Sequence, residues 1–183
     1  PATARYTEAQ LLLGQCYFFK NQYLKAFDIF QSIAADPKHK DATFYWLGET
    51  YFKGADYKQA QSYYQKVIEE FPQSDYVPQA YYSFGWSSFA QGDYDNAVDF
   101  FNKLLTEFPQ HSLAEDALFK LGESYLNKEE YEQAIQQLEQ FTRAYPQTAS
   151  LPNAFFYLGE CYYYTNDFLT ANTYYAKAAE LTT

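Results

Sequence analysis

The chain has 183 residues, of which 48% are hydrophobic and 22% aromatic, and its formal net charge is −10. An acidic chain without a basic stripe lacks the electrostatic footprint of nucleic-acid binding, and anionic membrane surfaces are disfavoured for the same reason. No run approaches the ~18 consecutive apolar residues of a membrane span, so we expect no membrane insertion. Because methionine is absent even at position 1, we expect a processed or excised piece of a longer protein.

Glycine recurs along the chain at a fixed interval. Gly48, Gly85, Gly122 and Gly159 are 37 residues apart, and Gly14 precedes the first of them by 34. An alanine follows each of these glycines by twelve residues. A fixed period of this length indicates a repeat array. We predict a single array over residues 1–183, with repeats at about 5–40, 41–78, 79–115, 116–152 and 153–183.

Each repeat is predicted to contain two helices. Tyr81, Phe84 and Ser88 in the third repeat share one helical face, and Asp56 and Asp93 are suitable N-caps for second helices. The second helices should end before a proline, which pushes the preceding residue out of the α region. No strand-like alternation competes with this pattern. The ten predicted helices span residues 5–19, 23–35, 41–53, 57–70, 76–90, 94–107, 113–127, 131–144, 150–164 and 168–181.

Two local features carry further expectations. Glycine inside a helix costs about 1 kcal/mol relative to alanine, so its recurrence predicts helix crossings too close for a Cβ atom. Residues 112–115 read Ser-Leu-Ala-Glu, which predicts a capping box at the start of the seventh helix.

The two cysteines are not expected to form a disulfide. Cys16 and Cys161 hold equivalent positions in the first and fifth repeats, a separation that should far exceed the ~7 Å limit between bridged Cα atoms. Small side chains fill the same position elsewhere. We therefore predict two free cysteines that pack against neighbouring helices.

No catalytic or metal-binding motif is recognisable. His39 and His111 both fall in loops between repeats, His39 in an exposed one, and they are too few for a metal-ligand cluster. Nucleophile motifs and phosphate-binding glycine-rich loops are also absent from the sequence. We therefore expect a protein that is not an enzyme and that has neither a cofactor nor a metal.

The repeat resembles the tetratricopeptide repeat. The residues that carry this resemblance in the second repeat are Phe44, Leu47, Gly48, Tyr51, Ala60, Tyr64 and Pro72. The pattern recurs with small changes over nearly the whole chain. The resemblance implies an all-α, right-handed α-solenoid of five helix-turn-helix repeats and ten helices, in which the first helix of each pair lines the concave side. Repeat arrays usually act as extended binding surfaces, so we expect a scaffold for protein or peptide partners.

The style of the repeat is also similar to that of bacterial envelope proteins. Units of 37 residues that contain Phe-Pro-Gln-Ser at 71–74 and Ala-Tyr-Tyr-Ser-Phe-Gly at 80–85 resemble repeats of two such proteins. They are the periplasmic partner of the Tol–Pal system and the lipoprotein of the outer-membrane barrel-assembly machine. This resemblance implies a location in the bacterial periplasm or at the outer membrane.

One face of the first helices is a candidate partner-binding groove. It combines aromatic residues, which anchor protein interfaces, with regularly spaced glutamates that suit a basic and aromatic partner segment. Two interpretations stay open, because the aromatic residues would serve equally to pack against the next repeat, and the glutamates would serve as solvated charges. We call the following twelve the groove residues: Tyr45, Glu49, Phe52, Tyr82, Trp86, Phe89, Phe119, Glu123, Leu126, Phe156, Glu160 and Tyr163.

Three further expectations concern partners. The glutamates would repel an acidic chaperone tail, which argues against the carboxylate-binding role of tetratricopeptide co-chaperones. The final helix carries Phe168 and Tyr175 with no predicted helix after it, so we expect either that more repeats follow in a longer parent chain or that this end pairs with another molecule. Self-assembly through the C-terminal helix is therefore an alternative function. A glycan-binding surface is a second alternative, because aromatic platforms beside carboxylates suit sugars.

Overall fold

The structure is a computed structural model that describes residues 2–181, with side-chain burial from residue 5 onward. The described residues form helices and no strands, so the all-α class is confirmed. Predicted and observed helix ends differ by at most three residues. The ten helices are α1 (Ala2–Phe19), α2 (Tyr23–Ile33), α3 (Lys40–Lys53), α4 (Tyr57–Glu70), α5 (Val77–Ala90), α6 (Tyr94–Glu107), α7 (Ala114–Asn127), α8 (Tyr131–Ala144), α9 (Leu151–Tyr164) and α10 (Phe168–Glu180).

The helices form two compact units, one that ends at Gln91 and one that begins at Gly92. The first unit contains α1 to α5 and the second α6 to α10. Within each unit every helix packs against the next one in the chain. The first helices of the pairs, α1, α3, α5, α7 and α9, each contain one of the repeated glycines, and we call them the glycine-bearing helices. They also contact one another, α1 with α3, α3 with α5, and α7 with α9. Within each unit and among the described residues, the second helices of successive pairs make no such contact, so the glycine-bearing helices are the more closely spaced set.

The repeated glycines mark tight helix crossings, as predicted. A Cβ atom on Gly48 would lie 2.5 Å from the ring of Tyr64, and one on Gly122 would lie 2.7 Å from Leu138. In both cases the obstructing side chain lies sixteen residues further along and is fully buried. Neither Tyr64 nor Leu138 can move aside, so only glycine fits at these crossings.

The helix ends follow the predicted chemistry. The carboxylates of Asp56, Asp93 and Asp167 each accept a hydrogen bond from a backbone N–H three residues later, which confirms them as N-caps. α4 and α6 end just before Phe71 and Phe108, each of which precedes a proline. The turns between paired helices share one backbone conformation. Each turn has a residue with positive φ seven positions after the glycine of its repeat. These residues are Asn21, Ala55, Gly92, Glu129 and Asn166.

Two local expectations were wrong. Helix α7 has Leu113 and not Ser112 as its N-cap, without a side-chain cap. Its carboxylate at Glu115 instead accepts a hydrogen bond from Thr148, so the predicted capping box does not form. His39 lies in a half-buried position rather than in an exposed loop, and its Nε2 atom is buried.

The cysteines are both free, as predicted, but their environments differ. Cys161 is fully buried between helices, whereas Cys16 is exposed. The expectation of packing against a neighbouring helix is therefore correct for Cys161 and wrong for Cys16. Cys161 belongs to a buried cluster with Leu118, Leu138 and Phe141 of the preceding helical pair.

Candidate functional site

The twelve groove residues lie on glycine-bearing helices of both units. Six are on α3 and α5 of the first unit, and six are on α7 and α9 of the second. None is fully buried: ten are partly buried, while Phe156 and Tyr163 keep 46% and 52% of their surface exposed. The residues thus stand at the edge of the core, where packing against neighbours and contact with a partner both remain possible for a side chain.

In the first unit, Tyr45 is mainly a packing residue. Its ring centroid lies 5.1 Å from that of Tyr76 and 5.5 Å from that of Trp46. Burial, together with the nearby charge of Glu49, raises the pKa of Tyr45 well above its ordinary value. Its hydroxyl therefore stays neutral, and the ring joins α3 to the loop that precedes α5.

Glu49 is held inside the first unit by two hydroxyl groups. Its Oε1 atom accepts hydrogen bonds from Tyr64 at 2.8 Å and from Ser83 at 2.7 Å. Tyr64 is on α4 and Ser83 on α5, so one carboxylate links three helices. Glu49 is therefore not the freely solvated charge that the sequence left open.

The remaining groove residues of the first unit include a stacked aromatic pair. The rings of Trp86 and Phe89 lie 5.5 Å apart with an interplanar angle of 9°, on successive positions of one face of α5. The ring of Phe52 lies 5.4 Å from that of Tyr57. Tyr82 is half-buried on the same helix as Trp86. These rings form a partly exposed aromatic surface on α3 and α5.

In the second unit, Phe119 packs within the array. Its ring lies 5.2 Å from that of Phe141 on α8 and stacks on Tyr157 of α9 at 5.8 Å. Phe156 contacts Tyr175 of α10 at 5.6 Å but remains largely exposed. The equivalent residues Phe119 and Phe156 in successive repeats thus differ in the area of aromatic ring that is accessible to a partner.

The two glutamates of the second unit have different partners. Glu123 forms an ion pair with Lys120 at 2.6 Å and accepts a 3.3 Å hydrogen bond from the hydroxyl of Tyr157. Glu160 accepts a 3.3 Å hydrogen bond from Tyr175 through Oε1. The Tyr175 hydroxyl is neutral, because burial and the charge of Glu160 raise its pKa to about 12. Glu160 has no ion-pair partner among the described residues.

A cavity of about 450 Å³ lies at this part of the second unit. Its walls combine carboxylates, tyrosine rings and one aliphatic side chain, and three of its residues are groove residues. We call it the acidic cavity. It is lined by Glu123, Leu126, Asn127, Glu129, Tyr131, Tyr157, Glu160 and Tyr164.

The sequence did not identify five of these lining residues as site residues. Tyr131 begins α8 and Glu129 precedes it in the turn, so both come from outside the glycine-bearing helices. A signal for Tyr131 exists, because an aromatic residue stands nine positions after every repeat glycine. Tyr164 and Asn127 follow their glycines by five positions and belong to the same helical face as the groove residues. Tyr157 lies beside that face, and its ring becomes a wall only through packing of α9 on α7.

The cavity has the chemistry of a binding site. Carboxylates accept hydrogen bonds, tyrosine hydroxyls donate and accept them, both groups can surround a cation, and Leu126 offers an apolar contact. Among the described residues no group of three or more metal-ligating side chains is arranged to hold a metal ion. Across the same residues no helix is both long and apolar enough to cross a membrane.

The chain is similar to known helical repeat proteins. The family model described as "YfiO: Outer membrane lipoprotein" matches residues 77–180, and a tetratricopeptide repeat model matches residues 8–39 and 42–74. The comparison with curated proteins gives no match.

Solved structures agree on the fold. A crystal structure of MamA has 22% identity and a TM-score of 0.81, covering 95% of this chain and 90% of that one. MamA of Desulfovibrio magneticus RS-1 has 19% identity and a TM-score of 0.83, covering 96% and 94%. The apo form of RapI has 15% identity and a TM-score of 0.82, covering 94% and 69%. At these identities the likeness shows the solenoid fold alone.

The YfiO model spans more than half of the chain, and the tetratricopeptide repeat model matches most of the part before it. Arrays of this kind are generally protein-interaction modules without catalytic activity. The chain therefore belongs to the tetratricopeptide repeat proteins and, within them, to the family that the YfiO model describes.

Proposed function

We propose that this chain is a non-catalytic scaffold that binds a segment of a partner protein along the glycine-bearing helices. The observation that carries the proposal is the acidic cavity, because Glu123, Leu126 and Glu160 were assigned to a groove from the sequence and line the same cavity. The cavity is lined mainly by α7 and α9, which pack side by side. The exposed rings of Phe156 and Tyr163 are on α9. A continuous binding surface in the second unit is consistent with these positions.

The partner segment is expected to be basic and aromatic or apolar. The chain carries a net charge of −10, and the cavity walls contain three carboxylates. Exposed aromatic residues such as Phe156 and Tyr163 offer large, rigid contact areas of the kind that dominate protein interfaces. An acidic segment would meet like charges at the same place.

A role in the bacterial envelope fits the family. The matching model is described as an outer membrane lipoprotein. The resemblance of the repeat to those of bacterial envelope proteins supports the same location. We therefore propose that the scaffold contributes to envelope assembly, where the partner would be another envelope protein.

Peptide selection tests the scaffold function. Unstructured random peptides displayed on phage are selected on the full chain, and the affinity of the selected peptides is then measured by fluorescence anisotropy. We expect the double variant Phe156→Ala/Tyr163→Ala to bind them about tenfold more weakly, because two exposed anchors are removed. The control is Leu24→Ala, which truncates an 84% exposed apolar residue on α2. Equal affinity of wild type and double variant would place peptide binding elsewhere.

Self-assembly is a second candidate function, and one observation favours it. Large apolar side chains are exposed at the last helical pair, with Phe168 at 57%, Leu169 at 81% and Leu181 at 51% exposure. Phe168 and Leu169 are adjacent in the chain, and neighbouring exposed apolar side chains often mark an interaction site. Analytical ultracentrifugation over a range of concentrations should show association that Phe168→Ser/Leu169→Ser abolishes. A monomeric mass at all concentrations would contradict self-assembly.

A further inference from the structure

We propose that the acidic cavity is the anchor site for one basic side chain, lysine or arginine, of the bound partner segment. This inference deepens the proposed function and rests on it.

The charges of the cavity favour a cation. Its walls contain Glu123, Glu129 and Glu160 and no basic residue. Lys120 lies beside the cavity and neutralises one of the three carboxylates through its ion pair with Glu123. Within the described part of the chain, Glu129 and Glu160 have no ion-pair partner. The cavity thus keeps a negative charge that a basic side chain from outside would balance.

The aromatic walls favour a cation as well. The rings of Tyr131 and Tyr164 are stacked, with centroids 5.3 Å apart and an interplanar angle of 16°, and Tyr157 forms another part of the wall. The face of a tyrosine ring carries negative potential, which attracts ammonium and guanidinium groups. Burial raises the pKa of Tyr157 and of Tyr131, and the neutral hydroxyl of Tyr157 donates a hydrogen bond to Glu123.

The chain already uses the same pairing elsewhere. The ammonium of Lys66 lies 4.5 Å from the ring centroid of Tyr63, and that of Lys177 lies 4.8 Å from the ring centroid of Tyr174. In these pairs the lysine and the ring come from the same helix. In the acidic cavity the rings and carboxylates are present, but the walls supply no cation.

The size and the apolar part of the cavity suit a side chain carried by a peptide. A volume of about 450 Å³ lies in the ~300–1,000 Å³ range of ligand-binding pockets and leaves room for a long side chain. Lysine and arginine place their methylene stems on apolar surface and keep the charged head among polar groups. Leu126 offers the apolar contact, while Glu160 lies on the wall with its Oε2 atom not hydrogen-bonded within the described residues.

A titration followed by nuclear magnetic resonance tests this site directly. The probes are Nα-acetyl-lysine methylamide, the corresponding arginine compound, the uncharged norleucine compound and n-butylammonium. We expect the lysine or arginine compound to shift the backbone amide signals of Leu126, Tyr131 and Tyr164. The norleucine compound, which has the stem without the charge, should leave these signals in place.

Two variants sharpen the titration. Glu160→Gln removes the charge but keeps an oxygen that can accept from Tyr175, and it should weaken binding of the basic compound about fivefold. Glu132→Gln removes the same charge from an exposed position on α8 outside the cavity and should change nothing. Tyr164→Leu should weaken binding, whereas Tyr164→Phe keeps the ring and should retain it.

Several results would overturn the inference. They are absence of shifts with both basic compounds, equal shifts with norleucine, unchanged binding in Glu160→Gln, and binding of n-butylammonium alone. The last result would mean that the cavity takes free amines and excludes a side chain attached to a backbone. If selected peptides bind the groove residues while the cavity ignores basic compounds, this inference fails and the scaffold function stands. If basic compounds enter the cavity but no peptide is selected, the scaffold function fails instead.

Discussion

The hydroxyl of Tyr64 donates a 2.8 Å hydrogen bond to the carboxylate of Glu49, fifteen residues earlier in the chain. The ring of Tyr64 is fully buried and lies where a Cβ atom on Gly48 would have to be. Two adjacent residues therefore accommodate Tyr64. Gly48 leaves space for its ring, and Glu49 accepts the hydrogen bond from its hydroxyl. The same relationship recurs with Gly159, Glu160 and Tyr175.

Glu49→Ala should destabilise the chain by about 1–3 kcal/mol. The substitution leaves the buried hydroxyl of Tyr64 without an acceptor, and Ser83 loses the same partner. Urea denaturation followed by circular dichroism measures the loss. Adding Tyr64→Phe should recover part of it, because the unsatisfied hydroxyl is then removed. A loss as small as that of Glu132→Ala, an exposed control, would show that the hydrogen bonds contribute little.

Gly48→Ala should lower the free energy of unfolding by about 1–3 kcal/mol, although alanine is the better helix former. The new Cβ atom would meet the Tyr64 ring at 2.5 Å, and overpacking of a core has a cost of this size. Gly54→Ala is the matched control, since the nearest atom there is at 3.4 Å and the backbone φ is −82°. Its stability should change by less than about 1 kcal/mol. Equal effects of the two substitutions would contradict the role assigned to the crossing.

The turns offer a pair of opposite substitutions. Ala55 and Gly92 occupy equivalent positions with φ of 57° and 75°. A left-handed conformation costs a residue with a Cβ atom about 1 kcal/mol relative to glycine. Ala55→Gly should therefore stabilise the chain, and Gly92→Ala should destabilise it by a similar amount. No atom lies within 4 Å of a Cβ atom on Gly92, so a loss there would report backbone strain alone. Thermal denaturation of both variants provides the measurement.

Stability should fall as the pH rises above about 10. Burial, followed by the charge of a nearby glutamate, raises the pKa of Tyr162 and of Tyr175 to about 12 in the folded chain. The ordinary tyrosine value is about 10, so between these values the unfolded chain releases protons that the folded chain retains. The contribution is complete below about pH 10 and is lost as the pH approaches 12. Urea midpoints at about pH 8 and about pH 11 should differ less in Tyr175→Phe than in wild type. An equal difference would exclude Tyr175 as a contributor.

The two thiols should react at very different rates. Cys16 is exposed, whereas Cys161 is fully buried and its pKa is raised to about 12 by burial and by the charge of Glu160. The thiolate is the reactive form, so both effects slow Cys161. A colorimetric thiol reagent should modify Cys16 rapidly in the native chain and both cysteines in urea. Rapid modification in Cys16→Ser would show that the last helical pair opens readily.

Most of the fold was predictable because each repeat contains residues with strong preferences for particular backbone conformations. Glycine, alanine and proline recur at fixed offsets, and aspartates such as Asp56 cap the second helices as expected. The failures depended on contacts distant in sequence. Ser112 to Glu115 has the local pattern of a capping box, but Glu115 accepts a hydrogen bond from Thr148, 33 residues away. A local motif cannot reveal such a competing partner.

The candidate site was predictable only in part. The helical period places Phe119 and Phe156 on one face, but it does not show that Phe119 stacks on Tyr157 while Phe156 remains exposed. That difference depends on the distance to the next helix. The acidic cavity also required Tyr131 and Glu129, which a turn and the start of α8 bring to the wall. The groove residues were predicted from one face of the first helices, so they include only the part of the site that these helices contribute.

One hydrogen bond between repeats recurs after two periods of the chain. Ser74 donates to Asp41, and Thr148 donates to Glu115, two periods later. One period after Asp41 and Glu49, proline and tryptophan stand at the equivalent positions, Pro78 and Trp86. Neither can accept a hydroxyl proton in the way a carboxylate does. An engineer who lengthens or shortens this array should therefore add or remove repeats two at a time, because this keeps the hydrogen bond between a hydroxyl and a carboxylate intact.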